Sequence, residues 1–342
     1  FAEYVALLVN ILAIAAIAAT QSASAQSSVT VFGHIDLNIT SSKAGSNSRT
    51  GMDQGGYLLP SRLGFRGVED LGGGLSAGFW LESAVLPDTG ATQGPMWNRR
   101  STVSLASQQF GEIRLGRDYT AAFWNVSSFS PFGTVGVGGS SNIIEGWPVG
   151  MGDAVTLSRA SNMFSYFLPK NIGGFYGQLN YALDEDVAGR GYKGGRVGYA
   201  SGPLDTAVAY GRTSVGVDNY TTATVGGSYD FGVVKVFVNY LQQAGGDAKQ
   251  RNALIGATVP VGGGQGELSE AKAERSGPFD GDDAQQAAIG YVHFLSKRTA
   301  LYTAYSYIKN EGNAAYVAAD SSPDGVPGQK SSGVQVGMSH SF

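Results

Sequence analysis

From Ser28 onward the chain alternates. Val29, Val31, Ile35, Leu37 and Ile39 fall on one side of an extended segment and Thr30, His34, Asp36 and Asn38 on the other, the two-residue period of a strand with one apolar and one wet face. Residues 61–67 repeat the pattern, with Leu63 and Phe65 opposite Arg62 and Arg66. After the reversal Gly72-Gly73-Gly74, a return strand sets Leu75, Ala77, Phe79 and Leu81 against Ser76, Trp80 and Glu82. Val103 and Leu105 then oppose Arg100, Thr102 and Ser104, and Ile113 and Leu115 oppose Glu112, Arg114 and Asp118. Similar segments follow at 159–168, 175–183, 192–200, 204–212, 220–230, 233–242, 251–259, 266–274, 285–294, 300–309 and 331–342. The total is about sixteen, an even number suited to closure. Segment 266–274 carries the weakest pattern, since Glu267, Glu270 and Glu274 make it polar on both faces.

Tight turns at 70–74, 108–111, 169–174, 201–203, 230–232, 260–264 and 296–299 alternate with longer polar connections, of which 40–59 is the first. One layer of such strands cannot bury a soluble core of this size. Its apolar face must meet lipid, and closure is then compulsory, because an open edge in hydrocarbon leaves backbone groups unpaired. The expected fold is therefore all-β, a transmembrane antiparallel β-barrel, with the tight turns on the periplasmic side. Residues 120–158 break the rhythm. They hold Phe123, Trp124, Phe129, Phe132 and Trp147, abundant glycine, and just two charges, Glu145 and Asp153. A connection that long with no period of its own is usually functional, and it is expected to fold into the lumen as a constriction loop facing a basic wall.

Composition supports a barrel. Charged residues make up 15% of the 342 and glycine contributes 51, against about a quarter charged in ordinary soluble domains. A mean hydropathy of -0.06 is far too low for a bundle of spanning helices of about 20 apolar residues each. With no cysteine there is neither a disulfide framework nor thiolate chemistry, and a net charge of -4 gives no basic excess for nucleic acid. The only long apolar run, residues 4–19, precedes Ala23-Ser24-Ala25. It reads as a secretory signal peptide cleaved after Ala25, although the opening Phe1-Ala2-Glu3 lacks the usual basic residue. Residues 1–25 are thus assigned as signal peptide and 26–342 as barrel.

Several stretches resemble the general porins of the Gram-negative outer membrane, beta-proteobacterial type. They are Ser61-Arg62-Leu63-Gly64-Phe65-Arg66-Gly67, Glu69-Asp70-Leu71-Gly72-Gly73-Gly74-Leu75, Arg99-Arg100-Ser101-Thr102-Val103-Ser104-Leu105, Phe110-Gly111-Glu112-Ile113-Arg114-Leu115-Gly116-Arg117, and a closing strand ending in Phe342. The resemblance implies an outer-membrane homotrimer of sixteen-stranded barrels through which small hydrophilic solutes diffuse passively. It implies that Phe342 belongs to the signal read by the barrel-assembly machinery, and that 120–158 is the inward loop, with Pro131, Phe132 and Gly133 as its tip motif. It also implies an anion preference set by arginines of the second, fourth and sixth strands, matched here by Arg62, Arg100 and Arg159. The second outer loop, 86–97, would latch a neighbouring protomer.

Alternation alone sets Arg62, Arg66, Arg100 and Arg114 on wet faces, with Arg196 and Lys235 further round. Guanidinium stays charged at any relevant pH and presents a rigid fork of donors to anions, and a narrow passage with one sign of charge concentrates counter-ions. The bland alternative is that these arginines pair with Glu82, Glu112 and Asp118 and only stiffen the wall. Glu82, Glu145 and Asp153 are the acidic groups expected to oppose the arginines. Arg99 and Arg117 share parity with lipid-facing positions, which assigns them to the head-group interface; outer-membrane lipid and lipopolysaccharide are the expected surroundings. Tyr119, Tyr166, Tyr181, Tyr199, Tyr229, Tyr240 and Tyr291 suit aromatic girdles. His34, His293 and His340 stand apart from one another with no metal-ligand spacing, and no metal, cofactor or catalytic residue is expected. The Asp184-Glu185-Asp186 cluster reads as a solvated loop. The competing readings are a substrate-specific channel, a plugged structural or adhesive barrel, and a hydrolase barrel needing a nucleophile beside a histidine.

Overall fold

The computed structural model describes residues 28–53, 55–144, 156–216 and 218–342. Residues 1–25, expected as a signal peptide, and the loop residues Glu145, Trp147 and Asp153 lie outside the described residues. The strands are β1 (Ser28–Ala44), β2 (Asn47–Asp53), β3 (Arg62–Gly72), β4 (Leu75–Leu86), β5 (Ala91–Thr92), β6 (Arg100–Ser107), β7 (Gly111–Tyr119), β8 (Arg159–Phe167) and β9 (Phe175–Ala182). They continue with β10 (Tyr192–Ser201), β11 (Leu204–Val215), β12 (Asp218–Asp230), β13 (Lys235–Gly245), β14 (Ala248–Val261), β15 (Gly264–Ser276), β16 (Ala284–Phe294), β17 (Thr299–Asn310) and β18 (Ser331–Ser341). β2 and β3 pair with successive halves of β1 and together make one wall strand, and β5 pairs only with the end of β4. The wall is therefore a closed 16-strand antiparallel barrel, sealed where β1 pairs with β18 from His34↔Ser341 to Ala44↔Ser331.

The alternation partitions the two faces. Val29 and Ile39 are 67% and 59% exposed to the outside, whereas His34 and Asp36, between them in sequence, are 5% and 0% exposed. Segment 266–274 is indeed a strand, and its polarity has two causes. Glu267 points inward and accepts the Tyr57 hydroxyl (2.6 Å), whereas Glu270 and Glu274 point outward beside Lys272, Gln285 and Arg251. Tyr166, Tyr199, Tyr229 and Tyr291 lie next to the tight turns, Tyr199 against Phe175 and Tyr229 against Phe231. Tyr119 does not join them, because it faces the lumen.

The expected outer loop 40–59 needs correction. β1 runs on to Ala44, the chain turns, and β2 returns to Asp53 before residues 55–61 leave the wall and dip inward. Polar residues on both faces of β1 beyond Ile39 removed the hydrophobic signal there. The inward dip buries Tyr57, which stacks on Tyr302 (4.5 Å, 11°) and meets Phe132 edge-on. Residues 120–144 and part of 311–330 also fold inside. Val137, Val292 and Ala319 extend the first cluster, and Ile143, Ile308, Ala314 and Tyr316 form a second. The apolar core thus lies within the barrel, between loops and the β14–β18 wall, a place that strand periodicity does not reveal.

At the seam Phe342 exchanges backbone hydrogen bonds with Gly33 (3.0 and 3.1 Å), and its ring covers the space that a Gly33 side chain would need. Deleting Phe342 removes both bonds and the ring. The folded fraction, read as the fast-migrating band of unheated samples on SDS gels after refolding into phosphatidylcholine vesicles, is expected to fall; an unchanged fraction would contradict this role in closure.

Candidate functional site

The loop 120–158 begins with a helix, α1 (Ala121–Ser128), and contains a single turn, α2 (Ser141–Ile144). The expectation of an unstructured loop missed α1 because eight residues carry too little period to read. Thr120 caps α1, accepting the Phe123 N–H, and its own N–H donates to Ser158 O (3.0 Å), closing the neck of the loop. Wall amides then hold the loop across the barrel. Asn239 donates to the carbonyls of Asn125 and Val126, Gln250 to Ile143 O (3.1 Å), and Gln286 to Val137 O (3.1 Å). Gln335 accepts the Val137 N–H (3.1 Å) and donates to Gly56 O (3.2 Å). These side chains satisfy backbone groups that would otherwise be buried unpaired, a loss of about 1–3 kcal/mol each. Inward-facing glycines make room for the loop. A side chain at Gly226 would collide with Phe129, at Gly256 with Pro131, and at Gly333 with Val137. The motif Pro131-Phe132-Gly133 is therefore a turn pressed against the wall, with Gly133 at φ 58° and Phe132 buried.

With that side filled, the lumen is left to β3–β10, where cationic side chains converge. Register accounts for their adjacency: Gly64 faces Glu82, Glu82 faces Arg100, Ser104 faces Arg114, and Tyr119 faces Arg159. In an upper cluster the Glu82 carboxylate accepts from Arg62 Nη1 (3.1 Å), Arg99 Nε (2.6 Å) and Trp80 Nε1 (3.1 Å). Tyr119 joins it, its hydroxyl accepting from Arg99 Nη2 (2.8 Å) and from Arg159, whose guanidinium lies 4.1 Å from the Tyr119 ring centroid. The other face of that ring system belongs to the loop, since Phe123 stacks on Tyr119 (5.2 Å, 5°) and Trp124 meets it edge-on. Lower down, Trp80 lies between Arg66 (5.2 Å) and Arg100 (4.4 Å). Asp118 bridges Arg100 (3.6 Å) and Arg114, and Arg114 also binds Glu112 through both oxygens.

Arg62, Arg66, Arg100, Arg114 and Arg159 all lie on this wall beside Glu82, and pairing with Glu82, Glu112 and Asp118 is observed for three of them. Arg99 overturns its expected assignment to the lipid interface. It is 6% exposed and bonded to Glu82 and Tyr119. Trp97 adopts φ 62°, turning the chain just before β6, so parity extrapolated back from the strand does not apply. Arg117 lies within the bulge between Gly116 and Asp118 and binds Asn98 O (2.6 Å) and Ser161 Oγ (2.9 Å). Tyr119 and Arg99 are the site residues that alternation alone could not supply; their one signal is position at a loop root.

His34 does have a hydroxyl neighbour, Ser341 Oγ at 2.9 Å from Nδ1. The carboxylate near its other nitrogen, Asp36, is 3.6 Å away and already accepts the Tyr57 N–H and the Tyr302 hydroxyl. With His34 and Asp36 both sealed from the lumen, the trio offers no substrate access. Among the described residues no group of three His, Cys, Asp or Glu could hold a metal ion.

A model of the Gram-negative porin family matches residues 12–313. The chain is 40% identical over 354 residues to outer membrane porin protein 32 of Delftia acidovorans, covering 97% of this chain and 99% of that protein. It is 29% identical to an outer membrane porin protein of Bordetella pertussis, covering 84% and 90%. Among solved structures, the anion-selective porin from Comamonas acidovorans superposes with a TM-score of 0.82 at 36% identity, over 93% of this chain and 100% of that one. OmpT of Vibrio cholerae shares the fold alone, with a TM-score of 0.69 at 14% identity. The chain belongs to the Gram-negative porin family and is an outer-membrane channel protein.

Proposed function

We propose that this porin passes small hydrophilic solutes by passive diffusion and prefers small anions, with the guanidiniums of Arg62, Arg99 and Arg159 as the selecting charges. The observation that carries the reading is the charge balance of the wall. The upper cluster gathers three guanidiniums around one carboxylate, Glu82, whereas Arg100 and Arg114 meet two, Asp118 and Glu112. The lower pairs mainly stiffen the wall, where Arg66 on Trp80 adds one guanidinium without a carboxylate partner among the described residues, and the larger excess of positive charge resides above them, beside the loop. Such an excess in a confined passage raises local anion concentration, and Glu82 tempers it while fixing two arginines in place. The similar Comamonas acidovorans porin is anion-selective, which supports the same reading.

The assembly is a homotrimer, and residues 1–25 are its export leader, removed after Ala25. The loop 87–96 supports the trimer assignment. It stands exposed on the outside with Met96 bare, while Trp97 packs back on the outward Phe65 (5.9 Å). Phe342 serves the barrel-assembly machinery as a terminal signal. Lipid surrounds the apolar belt, and Lys272 and Lys309, each beside a glutamate on the outer face, meet the lipopolysaccharide head groups.

In a planar bilayer across a potassium chloride gradient, wild type is expected to give an anion-selective zero-current potential. Arg62→Gln/Arg99→Gln should lower the anion-to-cation permeability ratio roughly tenfold, and Glu82→Gln should raise it. Cation selectivity in the wild type, or a ratio untouched by either variant, would refute the assignment. Deleting residues 87–94 should lower the temperature at which trimers dissociate on gels, and a trimer of unchanged heat resistance would rule out the latch.

A further inference from the structure

Beneath α1 the lumen widens into a vestibule of ≈ 1160 Å³ at the end of the barrel that carries the tight turns, which form its rim around residues 73, 108 and 170. Trp124 of α1, Phe167 and Tyr176 face it, together with Arg114, Arg196 and Lys170. The two guanidiniums are not equivalent. Arg114 is saturated, with Nε and Nη2 on the two oxygens of Glu112 (2.9 and 3.0 Å) and Nη1 on Asp118. Arg196 donates from Nε to Asn125 Oδ1 (2.9 Å) and from Nη2 to Tyr176 Oη (3.3 Å) and Ser128 Oγ (3.4 Å). Among the described residues its Nη1 donates to no protein acceptor, and no carboxylate lies in ion-pair contact with it. The acid nearest in this network, Asp205, accepts the Tyr176 hydroxyl (2.6 Å) instead.

Arg196 is therefore a cation fixed by neutral partners, with one edge of its fork unspent. A carboxylate matches that edge in charge and geometry. Backing by the Tyr176 ring at 4.9 Å holds the guanidinium plane, so little freedom is lost when an anion docks. Of the rest of the lining, Trp124, Phe167 and Tyr176 supply rings among glycines, hydroxyls, amides and the carboxylates Asp70 and Glu112, the latter spent on Arg114, and rings gain from offset or edge contact with other rings. A bare inorganic anion uses only the cations, whereas an arene carboxylate uses both parts of the wall. We propose that this vestibule is a binding station for aromatic monocarboxylates of benzoate size, with the carboxylate on Arg196 and Lys170 and the ring against Trp124, Phe167 and Tyr176. The inference rests on the anion-channel reading and adds a ligand class and a second site to it.

The test is current block in planar bilayers holding the trimer in one orientation, with sodium benzoate or sodium acetate added on the vestibule side in potassium chloride. Benzoate should halve the current at a concentration about tenfold below that of acetate. Arg196→Gln should bring benzoate to the acetate value, and Lys170→Gln should shift it part of the way. Because Arg196 also holds α1, Ser128→Ala provides a control that loosens the same contact, leaves the guanidinium, and should keep the benzoate block. Equal block by benzoate and acetate in the wild type, or benzoate block surviving Arg196→Gln, would overturn the station. The zero-current potential recorded in the same membranes separates the two levels. An anion-selective channel without benzoate preference loses only the station, whereas a cation-selective one loses the underlying reading as well.

Discussion

Closure of the sheet is the constraint on which everything else in this molecule depends. A strand edge left open in hydrocarbon strands backbone donors and acceptors without water, so β1 must find β18, and the last residue, Phe342, completes the ladder on Gly33. Closure fixes an inside and an outside, and the two-residue period then sends every second side chain to each. The outside takes valine, leucine and phenylalanine. The inside cannot be apolar throughout without excluding water from the channel, and it cannot be polar throughout without leaving the inward loops unsupported.

The inner wall resolves this by dividing the work around its circumference. From β12 to β18 it presents glycines, alanines and amides, which accept Phe129, Pro131, Phe132 and Val137 and hydrogen-bond the loop backbone. Tyr57, dipping in from between β2 and β3, closes the packing on Tyr302 and Glu267. From β3 to β10 the wall presents guanidiniums over aromatic rings. Because the filled half leaves the passage to the cationic half, loop packing and the proposed ion selection are one arrangement. Breaking a buried ion pair by removing one partner costs about 3–5 kcal/mol, so the shared Glu82 also keeps Arg62 and Arg99 from swinging away from the lumen wall.

Much of this was legible in the chain. The wall strands follow from alternation because lipid on one side and water on the other impose the contrast that the period records, and Arg62, Arg66, Arg100 and Arg114 fell on the wet face for the same reason. The failures share a cause: each lies where one of the two solvents is missing. β1 and β2 beyond Ile39 rise above the apolar belt and lose contrast, which hid the hairpin and the inward dip at Tyr57. Residues 311–330 bury Ala314, Tyr316 and Ala318 against other protein, not lipid. Arg99 precedes β6 across the left-handed turn at Trp97, and Tyr119 sits at the loop root, where position along the strand stops predicting direction.

In the proposed mode of selection, mobile anions reside beside the guanidiniums that exceed their carboxylates. Anomalous diffraction from crystals soaked in sodium bromide reads this directly. Bromide peaks within contact distance of Arg62, Arg99 or Arg159, absent from Arg62→Gln/Arg99→Gln crystals, are the expected result. Bromide confined to the outer surface, with the lumen beside Glu82 holding none, would contradict it.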